Sequence, residues 1–327
     1  MPYTVRVPRY LAKRLVWAVL LFLAITLVTY VLFFLVPADP AKLVAGKAAR
    51  PADIRRAAHF IGTDRPIYVQ YARFLERIVV HQNLGHSFAN RQSVNSIVGA
   101  AAPVTASLVL GGVIVWMLIA LPIGVLSAFR PRSLLDRVAM TFVLIGISAH
   151  PIWIGLILSY VFGFRLRLFP ITGYCDFFNP STDCGGPVQW AYHLCLPWLT
   201  FALLNAALYV RMIRATTLET MGEDYVRTAR AKGTPERLVL RSHILRNAML
   251  PVVTMLGMDI GLAFAGAIFT ETVFGLPGLG QTAIWGLNNN DIPTVEGVIV
   301  FATLAIIVFN LLVDLLYAWI DPRIRLA

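Results

Sequence analysis

Long apolar runs with almost no charges dominate this sequence and limit the folds that are open to it. The 327 residues are 58% hydrophobic and 14% charged, whereas a soluble domain averages about 45–50% apolar and about 25% charged residues. A helix of about 20 apolar residues crosses a hydrocarbon core of about 30 Å, and it satisfies its backbone polar groups internally. We therefore predict an all-α integral membrane protein with six transmembrane helices. The six runs cover residues 14–36, 101–128, 138–163, 191–213, 250–273 and 295–319.

The first apolar run follows a basic N-terminus, a pattern that signal peptides and membrane anchors share. The uncharged stretch from Leu15 to Val36 is longer than a signal h-region, and the Pro37-Ala-Asp-Pro40 that follows is not an Ala-x-Ala cleavage site. We therefore predict a retained first span within residues 1–36. A long external segment, 37–97, and a core of five further spans, 98–327, complete the predicted organisation.

Lysine and arginine are concentrated on one predicted side of the membrane. The N-terminal tail, the 130–137 turn, the 214–248 loop and the C-terminal tail are basic, whereas residues 274–294 contain neither Lys nor Arg. Because basic loops stay inside, we predict that this side and both termini are cytoplasmic. Residues 37–97 are also basic, and only the alternation of the spans places them outside. The net charge of +11 is thus attributed to topology and not to nucleic-acid binding.

The external segment contains a stretch with helical periodicity. Residues 67–80 predict an amphipathic helix of about three turns, followed by a loop over 83–88. Two roles are open for this region: a small cap packed on the outer membrane face, or a docking surface for a partner. The predicted apolar face consists of Tyr68, Tyr71, Leu75 and Ile78.

Three cysteines are too few for a disulfide scaffold or a four-cysteine metal site. Cys175 and Cys184 lie nine positions apart in the predicted outer loop between spans three and four. On an oxidising exterior they are able to form a disulfide, which would stabilise the fold by about 2–3 kcal/mol; two free thiols are the alternative. Cys195 is expected to be buried in span four.

Acidic side chains at membrane depth need a reason, since a central charge costs about 2.5–3.5 kcal/mol on insertion scales. Asp259 lies within span five, Glu271 near its outer end and Asp314 near the inner end of span six. For Asp259 three roles are open: lining an aqueous translocation path, making an interhelical hydrogen bond, or remaining a protonated buried acid.

Motifs for chemical catalysis are missing from the sequence. No Gly-x-x-x-x-Gly-Lys-Ser/Thr phosphate loop occurs, so the chain is not expected to hydrolyse ATP by itself. No Gly-x-Ser-x-Gly motif occurs either, and no His, Cys, Asp and Glu spacing suggests a metal site. We therefore expect a protein that is not an enzyme and has no cofactor of its own.

One polar stretch, 221–251, separates spans four and five. It is rich in arginine, and we predict two short helices broken at Gly233-Thr234-Pro235. Gly233 suits the left-handed position after a helix, Thr234 is able to cap the next helix, and Pro235 suits its first position. The stretch has three open roles: orienting the membrane protein, contacting anionic lipid headgroups, or docking a partner.

Four separated stretches of the sequence resemble the permeases of bacterial ABC importers, and specifically the first of the two permease subunits in the dipeptide/oligopeptide branch. The polar stretch is similar to their cytoplasmic EAA loop, although Arg227, Thr228 and Ala229 replace the Glu-Ala-Ala of the general motif. That replacement is usual for the peptide branch. The matching stretches are Asp224 to Gly233 with Arg246 to Val253, Glu271 to Gln281, Asn310 to Arg323, and Gln70-Tyr71 through Gly85-His86-Ser87.

The resemblance implies a permease subunit of an ATP-driven, binding-protein-dependent peptide importer in the bacterial cytoplasmic membrane. Nickel, haem or glutathione are the alternative substrates in relatives, and an ion-driven secondary transporter is a further alternative. The implied partners are a second, different permease subunit, two ATP-binding subunits that bind ATP and Mg²⁺ and contact the cytoplasmic loop 214–250, and an extracytoplasmic binding protein.

The resemblance also implies roles for individual residues, beside the path assignment of Asp259 and Glu271. The expected ATPase-coupling residues are Asp224, Tyr225, Arg227, Thr228, Ala229, Arg230, Ala231, Lys232, Gly233 and Pro251. The expected binding-protein docking residues are Tyr71, Arg73, Gly85, Ser87, Gly278, Gly280 and Gln281.

Overall fold

The structure is a computed structural model that describes residues 6–35, 41–42, 50–61, 66–178 and 184–320. Within these ranges the regular structure is helical, and the only extended pairing is an isolated bridge between His86 and Ser93. The all-α prediction is therefore confirmed. Parts of the predicted external segment and both chain ends lie outside the described residues.

Thirteen α-helices follow one another in the described part of the chain. They are α1 (Arg6–Tyr30), α2 (Pro51–Ile61), α3 (Ile67–Val79), α4 (Val94–Phe129), α5 (Leu134–Ser148), α6 (Pro151–Leu158), α7 (Gly186–Met221), α8 (Asp224–Ala231), α9 (Glu236–Leu238), α10 (Arg246–Gly266), α11 (Ile268–Phe274), α12 (Leu279–Asn288) and α13 (Ile292–Ile320). Wider π-helical turns extend α1, α6 and α9 at Val31–Leu35, Ser159–Arg165 and Val239–Leu245.

Five helical stretches are long and apolar enough to cross a membrane, and the count is six if α5 and α6 form one span. This confirms the predicted membrane protein and its number of spans. The helix of the fifth span begins far before residue 250, because the chain is already helical from Glu236. The five stretches are Arg14–Phe33, Val94–Phe129, Gly186–Met221, Glu236–Phe264 and Ile292–Leu312.

The third predicted span, 138–163, is not one straight helix. Helices α5 and α6 meet at an angle of 111°, and the break lies at Ala149 and His150, which have extended backbone dihedrals. Pro151 explains the break, because it lacks a backbone N–H and disfavours the helical conformation in the residue before it. The ring of His150 accepts a hydrogen bond from the Ile152 N–H, so this side chain caps the second half.

The described chain divides into two compact units. Unit 1 comprises the described parts of Met1–Pro103 together with Gly278–Ile307. Unit 2 comprises Val104–Pro277 and the described residues from Val308 onward.

An aromatic cluster joins the first span of unit 1 to the amphipathic helix α3. The Tyr30 ring lies 5.8 Å from Tyr71 and 5.4 Å from Phe74, and its hydroxyl donates to the Gln70 side chain over 2.8 Å. The predicted helix is thus confirmed, but its buried face is centred on Phe74. Tyr68, which we predicted on the apolar face, lies in the first turn of this helix and is 72% exposed, so the prediction for this residue is wrong.

A buried carboxylate ties the loop after α3 to the last span. Asp291 immediately precedes α13 and is 1% exposed. It accepts hydrogen bonds from the Ser87 hydroxyl over 2.5 Å, the Phe88 N–H over 2.8 Å and the Thr294 hydroxyl over 2.7 Å. Since a buried charge is tolerated only when it is well bonded, this set of donors fixes the loop against the start of α13.

Small residues allow close helix packing in unit 2. A Cβ atom added to Gly146 of α5 would lie 2.6 Å from the Ala207 Cβ of α7, which is far too close. Such small-residue contacts let membrane helices approach without any hydrophobic drive from water. The buried Trp116 ring packs between Phe201 and Tyr209, with centroids 5.8 and 5.5 Å away.

A bidentate ion pair connects three helices of unit 2. Asp136, at the start of α5, accepts from Arg214 Nε over 2.6 Å and from Arg214 Nη2 over 2.9 Å. It also accepts from the Ser127 hydroxyl of α4 and from the Arg132 N–H over 2.8 Å. The Asp136 side chain is 7% exposed and the Arg214 side chain 25%, so the pair joins α4, α5 and α7 in largely dry surroundings.

We predict that Asp136→Ala destabilises the purified protein in detergent micelles. Loss of one partner from a buried ion pair costs about 3–5 kcal/mol, and the partial exposure of Arg214 places the expected loss near about 3 kcal/mol. Thermal unfolding followed by tryptophan fluorescence measures it. Asp224→Ala is the matched control, because the Asp224 side chain is 99% exposed. Equal unfolding temperatures for the two variants would contradict the assigned role.

Candidate functional site

The polar stretch 221–251 folds into two helical pieces joined by a tight turn. Gly233 has a φ of +76°, in the left-handed region that favours glycine. Its N–H donates to the Arg230 carbonyl over 3.0 Å, and the Thr234 N–H donates to the Ala229 carbonyl over 3.2 Å. Both the break and the conformation of Gly233 are therefore confirmed.

The predicted capping role of Thr234 is wrong. Pro235, with φ −62° and ψ 139°, stands immediately before the helix, whose first residue is Glu236, and no side chain caps this end. Because the helix begins one residue later than predicted, Thr234 lies too early in the chain to bond its first amides.

A small apolar core holds the two helical pieces together. Its buried members are Val226 and Ala229 of α8 with Val239 and Ile244 of the π-helical turn. Phe129, Met221 and Leu240 pack against them. The connection between spans four and five is thus a packed element and not an open loop. We call residues 224–247 the coupling hairpin.

The polar side chains of the coupling hairpin point outward. Nine of the ten predicted coupling residues are exposed, and Ala229 is the exception because it belongs to the buried core. The exposed ones are Asp224, Tyr225, Arg227, Thr228, Arg230, Ala231, Lys232, Gly233 and Pro251.

Two polar contacts stabilise the shape of the coupling hairpin. Arg230 bonds Glu236 across the turn, with nitrogen–oxygen distances of 2.6 and 3.2 Å. The Glu236 carboxylate raises the pKa of the Arg230 guanidinium above its ordinary value. Farther from the turn, the Asn247 amide donates to the Tyr225 hydroxyl over 2.9 Å, which links α8 to the start of α10.

Asp259, a predicted path residue, is half-buried and accepts a hydrogen bond from the Tyr209 hydroxyl over 2.7 Å. This bond joins α10 to α7 and corresponds to the second of the three roles considered for Asp259. Lining of a translocation path stays a prediction for this residue.

Glu271, the other predicted path residue, is fully buried. Its carboxylate accepts a hydrogen bond from the Thr105 hydroxyl over 2.6 Å. In this conformation the side chain therefore bridges α11 and α4, and a role in the path requires a conformational change that exposes it.

The predicted docking residues differ in exposure. Arg73 is exposed, and Tyr71 and Gln281 are half-buried. The remaining four lie below the surface: Gly85, Ser87, Gly278 and Gly280. Ser87 is occupied by its bond to Asp291, so a direct contact of its hydroxyl with a partner is not available in this conformation. Docking of a binding protein stays a prediction. Arg73 is the exposed charged residue among the residues predicted for it.

The bend between α5 and α6 forms an open groove of about 700 Å³. Its wall is apolar except for Ser148 and His150, and the His150 ring also makes an edge contact with Phe269 at 5.3 Å. This groove was not predicted from the sequence. The sequence signal for the bend that forms this groove is the His150-Pro151 pair inside an apolar run.

A second cluster without a predicted binding role lies near the N-terminal end of α7. Cys175 and Cys184 are joined in a disulfide, with Cα atoms 5.3 Å apart, and Cys175 Sγ lies 3.2 Å from His193 Nδ1. The ligating atoms of these two cysteines and His193 lie within 4.8 Å of one another, and the expected absence of a metal site stays a prediction. Sequence spacing did not reveal this cluster, since His193 belongs to a helix and the cysteines to a loop. Cys195 is half-buried and not fully buried as expected.

The chain is similar to known membrane transport proteins over nearly its whole length. The family model described as "Binding-protein-dependent transport system inner membrane component" matches residues 120–326, and the model of its N-terminal part matches residues 7–109. A putative peptide permease protein of Brucella suis is 39% identical over 97% of this chain and 99% of its own length. The dipeptide transport system permease protein DppB of Escherichia coli is 35% identical over 97% and 98%.

A solved structure shares the fold. The crystal structure of an amino acid ABC transporter with histidines matches the fold of this chain with a TM-score of 0.51 and 15% sequence identity. The match covers 69% of this chain and 94% of the chain in that structure. The chain therefore belongs to the family of inner membrane components of binding-protein-dependent transport systems. Members are membrane permeases of ABC transporters and are not themselves catalytic, and the family implies ATPase and binding-protein partners.

We predict that a cysteine introduced at Asp259 reacts with a water-soluble thiol reagent, at a rate that changes when nucleotide binds to the assembled transporter. The physical reason is that a path residue meets water in some states and not in others. The measurement is mass spectrometry of the labelled chain in a Cys195→Ser background. The control is Val252→Cys on the same helix, which is 1% exposed and should stay unlabelled. Inertness of Asp259→Cys in every state would contradict the path assignment.

Proposed function

We propose that this chain is one permease subunit of an ATP-driven importer that moves di- or oligopeptides across the bacterial cytoplasmic membrane. Its partners would be a second, homologous permease subunit, two ATP-binding subunits at the cytoplasmic stretch 214–250 and an extracytoplasmic binding protein. Both termini would be cytoplasmic, as the basic loops favour. ATP and Mg²⁺ would be bound by the partners, and this chain would need no cofactor.

The observation that supports coupling to an ATPase is the construction of the coupling hairpin. Its buried side consists of apolar residues such as Val226 and Ile244. Its exposed side presents the basic residues Arg227, Arg230 and Lys232. A purely orienting loop needs positive charge but no buried core of its own. A folded, exposed, basic element suits a complementary groove on another subunit.

The packing of the coupling hairpin offers a route for movement into the membrane spans. Helix α8 follows α7 directly, and the Tyr225–Asn247 bond links it to the start of α10. A displacement of the hairpin would therefore act on spans four and five together, as in rigid-body switching. Closure of the ATPases around ATP would switch the translocation path from inward-facing to outward-facing. The binding protein would then release its peptide into this path.

The peptide assignment follows the names of relatives. The DppB protein of Escherichia coli is named for dipeptide transport, and a further relative there is a probable D,D-dipeptide permease with 35% identity over 94% of this chain. Nickel, haem and glutathione are the alternative cargoes within the resemblance. Analysis of what the purified binding protein holds distinguishes them.

An ion-driven secondary transporter is the second candidate, and Asp259 is the observation that favours it. Against it, the Asp259 carboxylate already accepts the Tyr209 bond, and a single acid makes a poor ion relay. Reconstitution in proteoliposomes separates the two functions. Uptake that requires ATP, the ATPases and the binding protein supports the proposal; uptake by this chain alone under an ion gradient would overturn it.

We predict that Gly233→Val abolishes ATP-driven uptake while membrane insertion persists. A Cβ atom added at Gly233 meets no atom within 4 Å, so the expected damage comes from the left-handed backbone, which costs a non-glycine residue about 1–2 kcal/mol. A β-branched residue at a positive φ is expected to shift the turn and displace the docking face. The measurement is uptake per inserted transporter, with ATP hydrolysis recorded in parallel.

Gly233→Asn is the matched control, because asparagine tolerates the left-handed region. It should retain most of the uptake. Normal transport by Gly233→Val, or equal loss in both variants, would refute the link between this backbone geometry and coupling.

A further inference from the structure

The cluster near the N-terminal end of α7 combines three side chains that ligate metals. Cys175 is 1% exposed, whereas Cys184 and His193 are half-buried. Their sulfur and nitrogen atoms lie within 4.8 Å of one another. One member is therefore enclosed by protein, and the other two leave a side open through which an ion is able to enter.

Backbone hydrogen bonds hold the loop on both sides of Cys175. The Gly173 N–H donates to the Phe274 carbonyl over 3.3 Å, and the Gly186 N–H donates to the Asp176 carbonyl over 3.0 Å. These two bonds anchor the loop on either side of Cys175. His193 is fixed separately, since it lies within the long helix α7.

Both ring nitrogens of His193 lie near Cys175 Sγ, Nδ1 at 3.2 Å and Nε2 at 3.6 Å. With a proton on Nδ1, His193 donates to the Gln189 carbonyl over 2.9 Å, and Nε2 is then the nitrogen with a free lone pair. Metal-ligating histidines commonly bond a backbone carbonyl through their other ring nitrogen, which fixes the tautomer. A disulfide alone requires no histidine of this kind beside it.

We propose that Cys175, Cys184 and His193, when the two cysteines are reduced, bind one thiophilic divalent cation of the Zn²⁺ type. Two thiolates and a neutral imidazole match the ligands and the charge that Zn²⁺ prefers, and three protein ligands leave a fourth position for water. Zinc–sulfur bonds of about 2.3 Å separate the two sulfurs by about 1.7 Å more than a disulfide does.

Oxidation and metal binding then compete for the same two sulfur atoms. A phosphine and one water molecule reduce the disulfide to two thiols and yield the phosphine oxide. The binding of Zn²⁺ releases the two thiol protons to water, and His193 contributes its neutral nitrogen. The outer loop is thus closed either by a covalent bond or by an ion.

The test uses the full-length chain in detergent micelles, purified through a tag without histidines. The protein is reduced with a water-soluble phosphine, incubated with Zn²⁺, desalted and analysed for zinc by elemental mass spectrometry. We expect one zinc ion per chain after reduction and none in the oxidised protein. His193→Ala should weaken binding by at least about tenfold, and His150→Ala is the control that should bind like the wild type.

Alkylation of the wild-type chain supplies a second measurement that does not depend on any variant. Zn²⁺ should protect Cys175 and Cys184 from a thiol reagent after reduction and should leave the labelling of Cys195 unchanged. Absence of zinc from the reduced wild type, absence of protection, or undiminished binding by His193→Ala would each overturn the proposal.

Discussion

Backbone polar groups have no water to bond within a bilayer, and the fold depends on this constraint. It explains why the apolar runs of the described chain form helices. The one sharp exception, between α5 and α6, is informative. Pro151 has no backbone N–H to contribute to the helical hydrogen bonds. At the break, the His150 ring accepts a hydrogen bond from the Ile152 N–H. The bend is thus a capped structure, and the open groove of about 700 Å³ beside it follows from the angle.

Four acidic side chains of the described chain illustrate a related constraint, because each of them has a specific partner. Asp136 is bonded by Arg214, Asp291 by two hydroxyls and an amide, Asp259 by Tyr209 and Glu271 by Thr105. These bonds connect helices that are distant in sequence. Charged groups in this protein therefore act as specific ties between helices, in places where small apolar contacts alone would allow several registers.

Features that depend on neighbouring residues could be predicted from the sequence, and features that depend on tertiary contacts could not. The spans follow from local hydropathy, and the conformation of Gly233 follows from its position after a short basic helix. By contrast, Ser87 and Asp291 are 204 residues apart, so no local pattern shows that a presumed docking residue is buried. His193 likewise joins the cysteine pair only because α7 begins beside the loop that contains Cys175. The capping error at Thr234 reflects a one-residue shift in where the helix begins.

The Asp291 cluster of unit 1 has a mechanical meaning. The loop that contains Ser87 and Phe88 is bonded to the residue from which the 29-residue helix α13 starts. Asp291 accepts two hydrogen bonds from this loop, from Ser87 and Phe88, and a third from Thr294 within α13 itself, so the two loop bonds resist separation of the loop from the start of the helix. A force applied to this loop is therefore transmitted directly to the start of the helix of the last span.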